Sequence, residues 1–204
     1  AVKRVLPAAL ASLYRPWVPM GQTAAEQLAA FGIKSSDLDY VLLTHLDPDH
    51  ICGLRELSEA KHILCSQEDM WWSYRTVYRL RQPHALWRPY PIETFWYKGS
   101  PEGTNRWSYD LLGDGSVTLV CLPGHTDGMF GVRLSRGGKY VFLAADAAYS
   151  KRSWQELILP GFGFNPQAQE KALYYLRGLE ADPNCLAILP SHDPDTPLDT
   201  VIEL

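Results

Sequence analysis

The chain has 204 residues, 46% of them hydrophobic, with 19 basic and 23 acidic side chains and a formal net charge of −4. This length and apolar content support a sizeable core, and the mild negative charge gives no electrostatic drive toward a nucleic-acid backbone. No apolar run approaches the roughly 18 residues of a membrane helix, so the expected partner is a small-molecule substrate, with neither nucleic acid nor membrane. There is no internal repeat and no low-complexity linker, and residues 1–204 are expected to form a single domain. Cys52, Cys65, Cys121 and Cys185 form no CxxC pair, which excludes a structural zinc knot on spacing. They read as reduced and mostly buried thiols, with disulfides left open. The expected location is the cytoplasm; the chain opens on Ala1, so any leader would lie outside this sequence.

Thr23 with Glu26 three residues on is a capping box, and Gly32 suits the left-handed position past a helix end, which predicts a helix over 24–31. Tyr40-Val41-Leu42-Leu43 is too short for a helix and aliphatic enough for a buried strand. The seven residues Thr44-His45-Leu46-Asp47-Pro48-Asp49-His50 follow it directly. Leu54 to Ala60 reads as a short helix, His62 to Cys65 as a strand, and Ser66 as the cap of a helix running to about Leu80. The segment from Trp71 to Tyr109 holds five of the seven tryptophans and five of the eleven tyrosines, interleaved with Arg75, Arg79, Arg81, Arg88, Lys98 and Arg106. It reads as a long irregular loop anchored by its large side chains and walling a substrate cleft; stacking on nucleotides is the competing reading. Exposed aromatics there are also compatible with a homodimer.

From Ser116 the pattern becomes strand-like: VTLVCL, a Pro123-Gly124 turn, MFGVRL, a Gly137-Gly138 hairpin and YVFLAA. A helix over about 166–179 follows, with Ala172, Leu173, Leu176 and Leu179 at helical spacing, and then the strand LAIL. Three strands thus end on a potential metal ligand: His45 after YVLLT, Asp146 after YVFLAA and His192 after LAILPS. His125 follows the turn after VTLVCL. One histidine at a strand end is ordinarily hydrogen-bonded structure. Four matching placements favour a shared site, and His62 and His84 have no such placement.

Together, Thr44-His45-x-Asp47-x-Asp49-His50, the turn Pro123-Gly124-His125-Thr126, Asp146 and His192 resemble the metallo-β-lactamase-fold hydrolases, whose first motif reads His-x-His-x-Asp-His. Asp146-Ala-Ala-Tyr149, the following Lys-Arg-Ser-Trp and the run to Pro160-Gly-Phe resemble the N-acyl homoserine lactonase branch. The resemblance implies an α/β fold, the four-layer αββα metallo-β-lactamase sandwich. That fold opens with strands carrying an Asp-Thr-Gly-like turn; nothing before Ala24 supplies them, and the expectation is that N-terminal strands of the first sheet lie outside this sequence.

The resemblance further implies two divalent ions. By position, His45, Asp47 and His125 would hold one, Asp49, His50 and His192 the other, and Asp146 would bridge them. It implies a metallo-hydrolase opening a lactone or related ester by attack of metal-bound hydroxide. Asp49 would orient the nucleophile and receive its proton, and Tyr149 would donate a hydrogen bond to the developing oxyanion or leaving oxygen. A phosphodiester or thioester hydrolase, or a non-catalytic binding domain, is the alternative.

Asp47 departs from the family's histidine. A carboxylate oxygen lies two bonds from Cβ, as does the nearer ring nitrogen of histidine, so direct replacement is one reading. It would make the metal a weaker Lewis acid and move preference from zinc toward iron or manganese. A single ion at Asp49, His50 and His192, and a domain without metal, are the other two. Zinc is the first expectation, with iron or manganese admitted because of Asp47.

Overall fold

The computed structural model describes residues 18–196 and 201–204. Most of the region before Ala24, where the opening strands are expected to be missing, is outside the described residues. The chain divides into two compact units, Ala1–Phe95 and Trp96–Leu204.

In the first unit, helix α1 (Ala24–Ala30) starts at Thr23 with both halves of the predicted capping box. The Glu26 N–H donates to Thr23 Oγ1 at 3.2 Å and the Thr23 N–H donates to Glu26 Oε2 at 3.0 Å. Gly32 follows at φ +74°, the left-handed geometry that closes a helix. Strands β1 (Tyr40–Leu43), β2 (His62–Ser66) and β3 (Ile92–Phe95) form a parallel sheet in that order. Parallel neighbours need crossover connections. The first carries the Thr44–His50 loop, helix α2 (Pro48–Ile51) and a 3₁₀ turn at Leu54–Leu57; the second carries α3 (Gln67–Ser73), α4 (Thr76–Arg81) and α5 (His84–Trp87). Leu43, Leu46, Ile51, Ile63 and Trp87 are among the residues of its core.

Three expectations for this unit are corrected. The strand predicted to be buried is so only at Leu43; Tyr40 is exposed and Val41 and Leu42 are half-buried, because β1 is the edge of its sheet among the described residues. The helix predicted over Leu54–Ala60 is the shorter 3₁₀ turn. The helix predicted from Ser66 to Leu80 is two, because Arg75 leaves helical geometry at ψ 146°, with its guanidinium carbon 4.6 and 4.1 Å from the centres of the Trp71 and Trp72 rings. Between Trp71 and Trp87 the chain is therefore largely helical, and its aromatics pack on one another as anchors: Trp72 on Tyr78, and Tyr74 and His84 edge-on to Trp87.

The second unit is a six-stranded sheet in the order β4 (Lys98–Gly99), β5 (Trp107–Asp110), β6 (Val117–Cys121), β7 (Phe130–Arg136), β8 (Lys139–Ala145), β9 (Cys185–Pro190). The predicted Gly137-Gly138 hairpin is present: both glycines have positive φ, +58° and +82°, and Arg136 pairs with Lys139 across a two-residue turn. All pairs are antiparallel except β8 with β9, which are connected through α6 (Lys151–Glu156) and α7 (Pro166–Glu180). The predicted apolar stripe of α7, Ala172, Leu173, Leu176 and Leu179, is buried with Tyr140, Phe142 and Trp154.

This topology positions chemistry. Strands β6 and β8 both run antiparallel to β7, and β9 runs parallel to β8, so the C-terminal ends of β6, β8 and β9 share one edge of the sheet. His125, Asp146 and His192 follow those three ends. All four cysteines are free thiols, Cys65 and Cys121 buried and Cys52 and Cys185 half-buried; burial pushes the Cys65 thiol well above its ordinary value. Among the described residues no helix is long and apolar enough to cross a membrane.

Candidate metal centre

Asp146 is the organising residue of the second unit. It is 2% exposed, with Oδ2 3.3 Å from His125 Nε2 and Oδ1 3.4 Å from His192 Nε2. These distances exceed a good N–H···O bond, which is about 2.7–3.2 Å. They match donors sharing a tetrahedral ion: ligands about 2.0–2.1 Å from a metal lie about 3.3–3.4 Å from each other. Ala145, the last residue of β8, has φ +47°, a left-handed conformation rare for a residue with a Cβ and typical of functional sites. The Ser191 Oγ is 2.5 Å from Asp146 Oδ1 and 3.2 Å from the Ala145 carbonyl oxygen, so one hydroxyl ties the ends of β8 and β9 together at the carboxylate.

His125 is held from behind. Its Nδ1 is 2.7 Å from the carbonyl oxygen of Phe162, which can only accept, so the proton of the neutral ring sits on Nδ1 and the Nε2 lone pair is turned to the Asp146 side. The turn before it requires glycine. Gly124 has φ +139°, and a Cβ there would come within 2.5 Å of the Gln169 backbone nitrogen in α7. Tyr149 sits beside both histidines, its ring centre 6.0 Å from that of His125 and 5.0 Å from that of His192, edge-on in each case. Its carbonyl accepts from the His192 N–H at 3.1 Å.

The first unit carries a second set in the loop after β1. His45 is fully buried, and its ring centre is 4.0 Å from that of His50. His45 Nε2 lies 3.7 Å from Asp47 Oδ2, and His50 Nε2 lies 3.7 Å from Asp49 Oδ2. Pro48 begins α2, and Asp47 in the N-cap position makes no side-chain cap bond, so its carboxylate is turned to other use. Arg81 takes it: Nε and Nη2 lie 2.6 and 2.5 Å from the same oxygen, Oδ2. The loop is held from beneath by the fully buried Asp69, whose Oδ2 accepts from the Leu46 N–H at 2.9 Å and from Gln82 Nε2 at 3.2 Å.

The structure thus brings His125, Asp146, His192 and Tyr149 together in one unit, and His45, Asp47, Asp49 and His50 together in the other. Both sets combine imidazole nitrogens with carboxylate oxygens, donors suited to zinc and to harder divalent ions. Sequence reasoning missed Arg81, Asp69 and Ser191. A signal existed for Asp69: Ser66 already caps α3 through the Asp69 N–H, so the buried carboxylate is surplus to capping. For Arg81, six cations in one segment left no means of choosing.

The profile of the Metallo-beta-lactamase superfamily matches residues 16–192. The chain belongs to that superfamily. Among its relatives, an N-acyl homoserine lactonase AttM of Azorhizobium caulinodans is 30% identical over 193 residues, which is 90% of this chain and 68% of the relative. A probable metallo-hydrolase of Mycobacterium tuberculosis, Rv2300c, is 30% identical over 202 residues, 89% of this chain and 63% of the relative. A solved N-acyl homoserine lactone hydrolase with the product N-hexanoyl-L-homoserine at its catalytic metal centre superposes at a TM-score of 0.69 with 20% identity, over 88% of this chain and 65% of that one. The α/β architecture is that of the metallo-β-lactamase fold, and this chain spans about two thirds of the length of such relatives.

The Asp69 anchor is testable. Asp69→Ala leaves the Leu46 N–H and the Gln82 amide without that acceptor, and chemical denaturation should show a loss of about 1–3 kcal/mol. Asp69→Asn, which keeps an acceptor oxygen, should lose less.

Proposed function

We propose that residues 1–204 act as one metal-dependent hydrolase domain that opens a lactone or related ester. In this reading His45, Asp47 and His125 would hold one divalent ion, Asp49, His50 and His192 would hold a second, and Asp146 would serve both. Zinc is the first choice of metal, with iron or manganese admitted by the carboxylate at Asp47. The observation that carries the reading is Asp146: a buried carboxylate with a histidine Nε2 opposite each oxygen at ligand spacing. Membership of a superfamily with relatives named as lactonases supports the substrate class.

When bound, the ions supply Lewis acidity toward a carbonyl oxygen and lower the pKa of water toward neutrality. The residues of this chain do the rest. The Phe162 carbonyl fixes the His125 tautomer, so that Nε2 is ready to ligate without first losing a proton. Asp49, with its side chain 48% exposed, can take a proton at a carboxylate oxygen and pass it to solvent. Tyr149 offers its hydroxyl to the substrate oxygen on which charge develops; its ring is held edge-on to His125 and His192.

Two measurements test this. Hydrolysis of a panel of N-acyl homoserine lactones and simple lactones, followed by acid release, should fall at least about a hundredfold on chelation and return with added zinc or manganese. No turnover on any lactone by the metal-loaded protein overturns the substrate class. Tyr149→Phe should lower kcat about ten- to a thousandfold at unchanged metal content; an unchanged kcat removes Tyr149 from the reaction.

A further inference from the structure

The first unit contains a largely buried ion pair, Arg81 with Asp47, of which the hydrolytic reading uses only Asp47. Arg81 ends α4, and both its Nε and its Nη2 point at one atom, Asp47 Oδ2. The pair is largely withdrawn from solvent, the Arg81 side chain 15% and the Asp47 side chain 9% exposed. The same Oδ2 is the Asp47 atom that faces His45 Nε2. An ion held by His45 and either oxygen of this carboxylate would therefore lie beside a fixed positive charge.

Two physical consequences oppose binding there. A carboxylate oxygen has two in-plane lone pairs, and two guanidinium N–H groups converge on Oδ2, so a metal takes that oxygen only in competition with Arg81 and otherwise takes Oδ1. The guanidinium also repels a divalent cation, and in a poorly solvated setting that repulsion is weakly screened. Asp49, by contrast, is about half exposed, and water screens its surroundings. The second consequence has a constructive side. A carboxylate in place of a neutral imidazole adds one negative charge, and Arg81 cancels it, so the Asp47–Arg81 pair is charge-neutral overall.

We propose that Arg81 sets the metal affinity of the position served by His45 and Asp47, so that the two positions are unequal and fill in order, the one served by Asp49 and His50 first. This rests on the metal-centre reading above. Arg81 is a positioning residue in this account: it acts through Asp47. The chain is then a hydrolase with one firmly held ion and a second whose occupancy follows the available metal. The ion pair holds the loop when that second ion is absent.

The test is a zinc titration of the metal-stripped full chain against a chromophoric chelator, resolving stepwise dissociation constants. The wild type should show two steps about a hundredfold apart. Arg81→Gln keeps N–H donors for Asp47 and removes the charge; it should tighten the weaker step about tenfold or more and leave the tighter step in place. Arg81→Lys, which keeps the charge, should retain the wide gap. Two equal steps in the wild type, or a gap that Arg81→Gln leaves unchanged, overturns the proposal while leaving the metal centre standing. If Arg81→Gln fails to fold, Arg81→Met serves as the second charge-removing variant with the same expected tightening, and equal steps in the wild type still overturn the proposal. A wild type that binds no zinc overturns both this proposal and the metal-centre reading.

Discussion

The arrangement of the second unit depends on one buried carboxylate. Asp146 has a histidine nitrogen opposite each oxygen and a serine hydroxyl on one of them, and the surrounding features serve to put it there. The antiparallel β6–β7–β8 meander followed by the parallel β9 brings three strand ends to one edge. A left-handed residue at the end of β8 re-aims the chain just before the carboxylate. Such a backbone conformation costs of order 1–3 kcal/mol and persists only where the surroundings hold it; here Ser191 bonds across to the Ala145 carbonyl.

The first unit solves a different problem, the placement of four polar residues on a short loop. Two are buried or nearly so, His45 and Asp47, and burying such groups is costly unless they are paired. Asp69 supports the loop backbone, and Arg81 neutralises the carboxylate. The aspartate at the position where the family motif has histidine is thus part of a built environment. It comes with its counter-charge, the pairing that burial of a carboxylate calls for.

Much of this was legible in the sequence, and the boundary is physical. Helix caps, glycine turns and short aliphatic runs are local, and Thr23, the Gly137-Gly138 hairpin and strands β6 to β9 follow their local signals. The grouping of His125, Asp146 and His192 in one unit, and of the Thr44–His50 side chains in the other, was legible because strand ends project side chains predictably and the family motif orders them. The broken helix at Arg75 was not, because its geometry accompanies contacts with tryptophans that a propensity reading does not weigh. Nor was the exposure of β1, which depends on being the edge of its sheet among the described residues. Arg81 lies 34 residues from Asp47, and only the crossover through α3 and α4 brings them together. Long-range charge pairing leaves no periodicity to read.

The central claim is that these side chains form a metal centre. Elemental analysis of the purified chain, loaded with zinc and dialysed against metal-free buffer, tests it most directly, because it needs no substrate. The account predicts between about one and two zinc ions retained per chain. Retention of less than about a tenth of an equivalent would contradict it.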